Sequence, residues 1–219
     1  MHWTIMKKFL YSRSVEKAGD VLVILADTIS KRNSQSSIVR QTCQDFAQHC
    51  ISNQTNIEII DLYRDYKARK FDPVLDSTFV GNKILEYQIK IKAAKTIVFF
   101  YPALWSTMPA LMKGFLDVVF RPGFAFEPGA KPLTKQDGYL SGKKASVFVF
   151  EDKSWMHNKV LNNNFDQIFW QRSIFAQSGL KGNIKYFYET NKMNTEKSLE
   201  LKNEMKRAVQ AIRLSPAGI

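Results

Sequence analysis

The amino-acid sequence predicts an α/β fold, a parallel sheet with helices on both faces, and three observations carry that prediction. Two unbroken apolar runs, VLVILAD at 21–27 and TIVFFY at 96–101, are too uniformly apolar for strands with one wet face and suit strands buried on both. Helical periodicity, rather than another strand, follows the apolar runs, and crossover helices are what join parallel strands. The 219 residues are 45% hydrophobic and 13% aromatic, enough for a sizeable core and unlike a disordered composition.

The elements follow in order. Residues 1–19 form an N-terminal extension whose apolar stretch is too short and too broken by charge for a signal-peptide core. The main unit is expected over 20–214, without internal repeats or a linker. After the first strand, a polar loop TISKRNSQSS leads to an amphipathic helix over about 36–51, with Ile38, Val39, Thr42, Cys43, Phe46, Ala47 and Cys50 inward. NIEIIDLY (56–63) alternates and reads as a strand nearer an edge. The helix over 81–93 is expected to turn Ile84, Leu85, Gln88 and Ile91 inward. TIVFFY is the third strand. Pro109 opens the next helix, where the missing N–H costs little, with Leu111, Phe115, Leu116 and Val119 on one face and Lys113 and Asp117 on the other. The glycine- and proline-rich stretch 121–142 reads as an extended insertion. KKASVFVF (143–150) is the fourth strand, 154–179 holds the fourth helix, NIKYFYE (183–189) is the fifth strand, and the last helix runs from about Thr195 to Ile212.

Charge and composition narrow the function classes. Lys and Arg number 32 against 20 acidic residues, a net charge of +12, which raises affinity for polyanions in general. The basic residues are dispersed and accompany no RNA-reading, zinc-finger or helix-turn-helix pattern, so a solvated basic surface is expected and no nucleic-acid partner. Cys43 and Cys50 lie two helical turns apart, ~10 Å, too far for a disulfide, and read as small buried hydrophobes of a cytoplasmic protein. His2, His49 and His157 give no metal-ligand spacing, and no apolar run approaches the length of a membrane span.

In open parallel sheets the ligand sits beyond the carboxyl ends of the strands, where the strand order switches. That rule selects three loops: Asp27–Ser37, Pro102–Met108 and Glu151–Trp155. The first is rich in hydroxyl and amide side chains just before a helix N-terminus, a setting that favours a phosphate; the plainer alternative is that Ser34 or Ser36 only caps the helix. Neither GxGxxG nor GxxxxGK[ST] occurs, which disfavours a dinucleotide fingerprint and a P-loop. The second loop, PALWSTM, is too apolar for an ordinary solvated turn, so something must cover Leu104 and Trp105.

The stretch PALWSTMPALMKGFLD (102–117), then RPGFAF (121–126) and GKK (142–144), resembles the flavodoxin-like NAD(P)H–quinone oxidoreductase family, whose pattern is a strand, P-x-x-W, a P-x-x-L-K-G-W/F-x-D helix and G-F-A-Y/F. NSQSS is similar to the phosphate loop of related flavin-dependent azoreductases, and SGLKGNIKY (178–186) resembles the approach to the family's fifth strand. The resemblance covers about 20–212. It implies a three-layer sandwich with a five-stranded parallel sheet ordered 2-1-3-4-5, a homodimer, and bound FMN or FAD, with FMN preferred. Carried over by position, Thr28, Ser34, Gln35 and Ser36 would hold the flavin phosphate, and Pro102, Ala103, Leu104, Trp105 and Ser106 would lie along the ring. The implied activity is two-electron hydride transfer from NAD(P)H through the flavin to a quinone-like acceptor, in ping-pong order.

The third loop departs from the Thr-Thr-Gly-Gly that many family members carry. Glu151 and Asp152 would border the flavin and add negative charge beside a reduced ring, offset by Lys153; Glu151–Trp155 resembles more closely the Asp-Thr-Pro-x-Trp of a subset. His157 falls where the quinone reductases place a ring that stabilises reduced flavin or substrate, and is the catalytic candidate; the alternative is a helix histidine without a role. For Trp105 the alternative is core or dimer packing. The competing function is a flavodoxin-like regulatory or ancillary dimer that docks on a partner such as a transport protein, with little or no turnover.

Overall fold

The two uniformly apolar runs become the middle of the sheet because neither face of them meets water. In the computed structural model, which describes residues 20–27, 37–67, 82–127, 138–156 and 165–214, β1 (Val21–Leu25) and β3 (Thr96–Pro102) pair in parallel, with Leu22 opposite Ile97 and Ile24 opposite Phe99. β2 (Ile57–Asp61) adds to the other side of β1, and β4 (Lys144–Glu151) and β5 (Lys181–Tyr188) extend the sheet beyond β3. The order is β2-β1-β3-β4-β5, all parallel, as the family resemblance implied.

Successive side chains of a strand alternate faces, so each central strand feeds two cores. Val21, Val23 and Leu25 meet α1 (Ile38–Ser52) through Val39, Cys43, Phe46 and Cys50, and the final helix contributes Leu201, Met205 and Val209 to the same core. Phe46, Phe100 and Phe148 cluster there with ring centroids 4.9–6.3 Å apart. Leu22, Ile24, Ile97 and Phe99 face the opposite way. Short α2 (Leu62–Lys67), α3 (Asn82–Ala93) and α4 (Ala110–Val119) supply Leu62, Ile84, Tyr87, Met112 and Phe115 to that second core. It is completed by α5 over 165–178, whose Phe169–Phe175 stretch is π-helical and buries Trp170 and Phe175. α6 (Thr195–Leu214) closes the chain's regular structure.

Several boundaries differ from expectation. β2 ends at Asp61, and Leu62 and Tyr63 open α2 instead of continuing the strand, because the Asp61 carboxylate accepts the Arg64 N–H at 3.1 Å and nucleates a helical turn. On α3 the buried aromatic is Tyr87, unanticipated; its hydroxyl reaches Asp65 at 2.6 Å, so the ring is buried without stranding its polar end. Gln88 is half-buried and donates to the Val119 carbonyl at 3.1 Å. α5 ends at Gly179, whose φ of +77° and closeness to the Ser141 side chain leave no room for a Cβ.

Cys43 and Cys50 are buried free thiols. Desolvation pushes them up to about 12 and about 11, as inert core groups require. No group of His, Cys, Asp or Glu among the described residues could hold a metal ion, and no described helix is long and apolar enough to cross a membrane.

Candidate functional site

From β1 the chain moves outward to β2 and then returns past β1 to β3, so the switch in strand order falls between the carboxyl ends of β1 and β3. Three segments border that point: the chain after Asp27, the loop after Pro102, and the loop after Glu151.

The loop after β3 is built as a tight hairpin. Ala103 N–H donates to the Phe150 carbonyl at 2.8 Å, extending the pairing with β4 by one bond. Leu104 and Thr107 then bridge antiparallel, with Leu104 N–H to Thr107 O at 2.8 Å and the reverse bond at 3.2 Å. Both central residues have positive φ, +54° at Trp105 and +62° at Ser106. Two left-handed central residues define the turn type that normally takes Asn-Gly, because a Cβ there costs about 1–2 kcal/mol per residue. The turn accepts that cost and presents Trp105 95% exposed and Leu104 44% exposed, while Pro102 and Ala103 are half-buried beneath. A strained turn thus carries an exposed aromatic side chain at the switch point in strand order. The five candidates Pro102, Ala103, Leu104, Trp105 and Ser106 are therefore contiguous along one wall.

The loop after β4 meets this wall at one point: Lys153 Nζ donates to Ser106 Oγ at 3.4 Å. Glu151 is not at the rim. Its side chain is buried beneath it, on the face that α5 covers, and its carboxylate accepts the Lys153 N–H at 3.4 Å. Asp152 is exposed, and its carboxylate accepts from the Thr190 hydroxyl at 2.7 Å, away from the turn. Trp155 and Met156 are exposed nearby in sequence. His157 lies outside the described residues.

At the end of β1, the candidates Thr28, Ser34, Gln35 and Ser36 also lie outside the described residues, but both ends of their loop are defined. The cap of α1 is Ser37, one residue beyond the expected position. Its hydroxyl accepts the Arg40 N–H at 3.2 Å and donates to the Asp27 carboxylate. Arg40 donates to Asp61 through Nη1 at 2.7 Å, to the Asp27 carbonyl through Nη2 at 3.4 Å, and keeps Nε 3.7 Å from the Asp27 carboxylate. Burial raises the Asp27 carboxyl above its ordinary value, opposed by Ser37 and Arg40. One guanidinium thus balances two acids where the chain leaves β1 and enters α1.

Behind the turn lies a cluster that sequence reasoning missed. Tyr101, fully buried near the end of β3, donates its hydroxyl to Asp166 at 2.5 Å and accepts from Trp170 Nε1 at 2.7 Å. Asp166 is 3% exposed, and burial pushes its carboxyl up to about 6, reinforced by the Glu151 charge and opposed by Tyr101, the Met108 N–H and the Thr107 hydroxyl. Asp166 Oδ1 completes no hydrogen bond among the described residues. Tyr186 from β5 closes the cluster, its phenol raised by burial and by Asp166. A signal for Asp27 and Asp61 was available, an acid ending each of two strands; nothing marked Asp166 within NNNFDQIFW, because its partners come from three other segments.

The family described as flavodoxin-like fold matches residues 20–212. The chain belongs to that family. It is 35% identical over 128 residues to the human ribosyldihydronicotinamide dehydrogenase [quinone], a match covering 58% of this chain and 43% of that protein. The matched stretch thus spans less than half the length of this curated relative. Among solved structures, an NAD(P)H:quinone oxidoreductase from Methanothermobacter marburgensis superposes with TM-score 0.67 at 16% identity, covering 89% of this chain and 98% of that one. An FMN-dependent NADH-azoreductase from Bacillus anthracis, in complex with FMN, gives TM-score 0.66 at 20% identity, covering 88% and 98%. At such identity these two likenesses speak to the fold, and they agree with the resemblance carried by Pro102–Asp117.

Proposed function

We propose that this flavodoxin-like protein is a flavin-dependent NAD(P)H oxidoreductase acting on a quinone-like acceptor. The observation that carries the reading is the strained Leu104–Thr107 turn at the switch point, which offers Trp105 and Leu104 to a flat aromatic ligand. The residues described there fit such a ring: an apolar wall, backbone amides directed by a tight turn, and a cation, Lys153, at the rim. A bound flavin, FMN in preference to FAD, would supply the two-electron hydride chemistry. This chain's residues would do the rest. Pro102 to Ser106 would cover one face of the ring and exclude water from it. Thr28, Ser34, Gln35 and Ser36 would hold the phosphate before α1, with Arg40 and Ser37 restraining the negative field of Asp27. The uncovered face would receive NAD(P)H and then the acceptor, in ping-pong order, with His157 beside it.

The exposed apolar side chains Leu104, Trp105, Trp155, Met156, Phe165 and Ile168 support a homodimer, in which a second copy would roof the crevice. Purified protein is expected to be yellow, with an absorbance band at about 450 nm that NADH or NADPH bleaches under anaerobic conditions and a quinone restores. Colourless protein that takes up neither FMN nor FAD would refute the reading and favour an ancillary dimer that docks on a partner.

A further inference from the structure

The loop after β4 carries two neighbouring opposite charges, and the structure sends them to different sides. The Asp152 carboxylate accepts from the Thr190 hydroxyl at 2.7 Å, which turns it towards the chain beyond β5. Lys153 is held through its main chain on both sides: its N–H donates to the Glu151 carboxylate at 3.4 Å, and its carbonyl accepts the Glu189 N–H at 3.2 Å. With the backbone fixed between the ends of β4 and β5, the side chain crosses to the other loop and donates from Nζ to Ser106 Oγ at 3.4 Å. Ser106 is the second left-handed residue of the strained turn and follows the exposed Trp105 in sequence. Lys153 is the only basic residue in either loop, 102–108 or 151–156. None of the ion pairs among the described residues involves it, so no carboxylate there neutralises its charge.

We propose that Lys153 is a further functional residue of the crevice, whose ammonium stabilises the negative charge that reduction places on the flat ring lying along Pro102–Ser106. The inference rests on the flavin reading of this site. A flavin that takes a hydride from NAD(P)H gains two electrons and one proton, so its ring becomes more negative by one unit while the donor leaves as NAD(P)+. An apolar wall does nothing for that charge, and the acids nearby oppose it: Glu151 and Asp166 are buried behind the turn, and Asp152 lies in the same loop as Lys153. An ammonium at the rim, anchored through its backbone and reaching the turn, favours the reduced ring over the oxidised one. The Ser106 hydroxyl is a neutral partner, which the ammonium can exchange for an anion at little cost; a carboxylate in its place would hold the charge for itself. Lys153 is exposed, so water and salt screen part of the effect and keep it modest.

The test uses the full chain reconstituted with FMN. FMN titration, followed by flavin fluorescence, comes first; the midpoint potential of the bound FMN is then measured at neutral pH for wild type, Lys153→Met and Lys153→Arg. Lys153→Met keeps an unbranched side chain at this exposed position and removes the charge. It should bind oxidised FMN, whose ring is neutral, as wild type does. Its hold on reduced relative to oxidised FMN should weaken about tenfold, read as a midpoint potential lower by ~30 mV for the two-electron couple. Lys153→Arg keeps the positive charge and should stay within about twofold of wild type in the same ratio. A side chain with a merely structural role would leave the potential where it is. A Lys153→Met potential equal to that of wild type, or a Lys153→Arg potential that falls as far as that of Lys153→Met, would overturn the proposal and leave the flavin reading intact. Wild-type protein that binds neither FMN nor FAD would refute the flavin reading itself, and the role of Lys153 with it.

Discussion

The two ends of the crevice hold their buried acids in opposite ways. At the end of β1, Asp27 and Asp61 share the Arg40 guanidinium, and the Ser37 cap adds a hydroxyl donor, so α1 is braced to two strands by balanced charge. At the ends of β3 and β4, Asp166 is served by a phenol and by loop dipoles, with Glu151 opposing its charge. The first arrangement is a structural brace, whose removal exposes unpaired acids. The second keeps a buried acid, raised to about 6 by desolvation, behind a strained turn, a costly arrangement of the kind that clusters at functional sites.

The comparison can be broken by measurement. Arg40→Ala should have the largest effect, about 2–4 kcal/mol of stability lost in urea unfolding at pH 7, because it strands the nearly buried Asp27 beside Asp61. A loss below about 0.5 kcal/mol, the size of an ordinary surface substitution, would remove the brace from the account.

Asp166→Asn should act in the other direction. An acid raised from 3.8 to about 6 contributes stability that is present in full below its unfolded value and is lost as pH rises through about 6. Thermal melts at pH 8 should therefore find the variant as stable as wild type or more stable, by at most about 3 kcal/mol, with that advantage gone at pH 4. A lower melting temperature for the variant at pH 8 would mean that the cluster is a brace like the first.

Trp105→Gly should show the smallest effect on the fold and a selective one on the site. Glycine suits the φ of +54°, so stability should hold or rise by up to about 1 kcal/mol. FMN affinity, read by flavin fluorescence quenching, should fall about tenfold as the stacking surface is lost. A stability loss above about 1 kcal/mol would show Trp105 to be packed and not presented.

Much of the fold was legible in order. The apolar runs at 21–27 and 96–101 became β1 and β3 because burial on both faces leaves a uniform signature. The α1 and α4 faces followed from the helical period. Where the pattern was mixed, local chemistry decided: Asp61 stopped β2 with a side-chain acceptor, and Tyr87 buried a ring whose hydroxyl found Asp65. At the site, PALWSTM announced itself by apolar residues between two prolines, and the structure placed it at the switch point. Glu151, read as a rim residue, lies inside instead, because strand alternation carries position 151 to the face α5 covers.

The sequence by itself determined the alternation of strands and helices, the two central strands, and an unusual turn that required a cover. These rest on interactions a few residues apart, which periodicity and proline placement record. Only the tertiary structure decided that Arg40 would join Asp27 to Asp61, that Trp105 would stand out on a left-handed turn, and that Tyr101, Glu151, Asp166 and Tyr186 would meet behind it. Those residues lie up to 85 positions apart on β3, β4, β5 and α5. Pairing register and helix packing bring them together, and neither leaves a mark on any single segment.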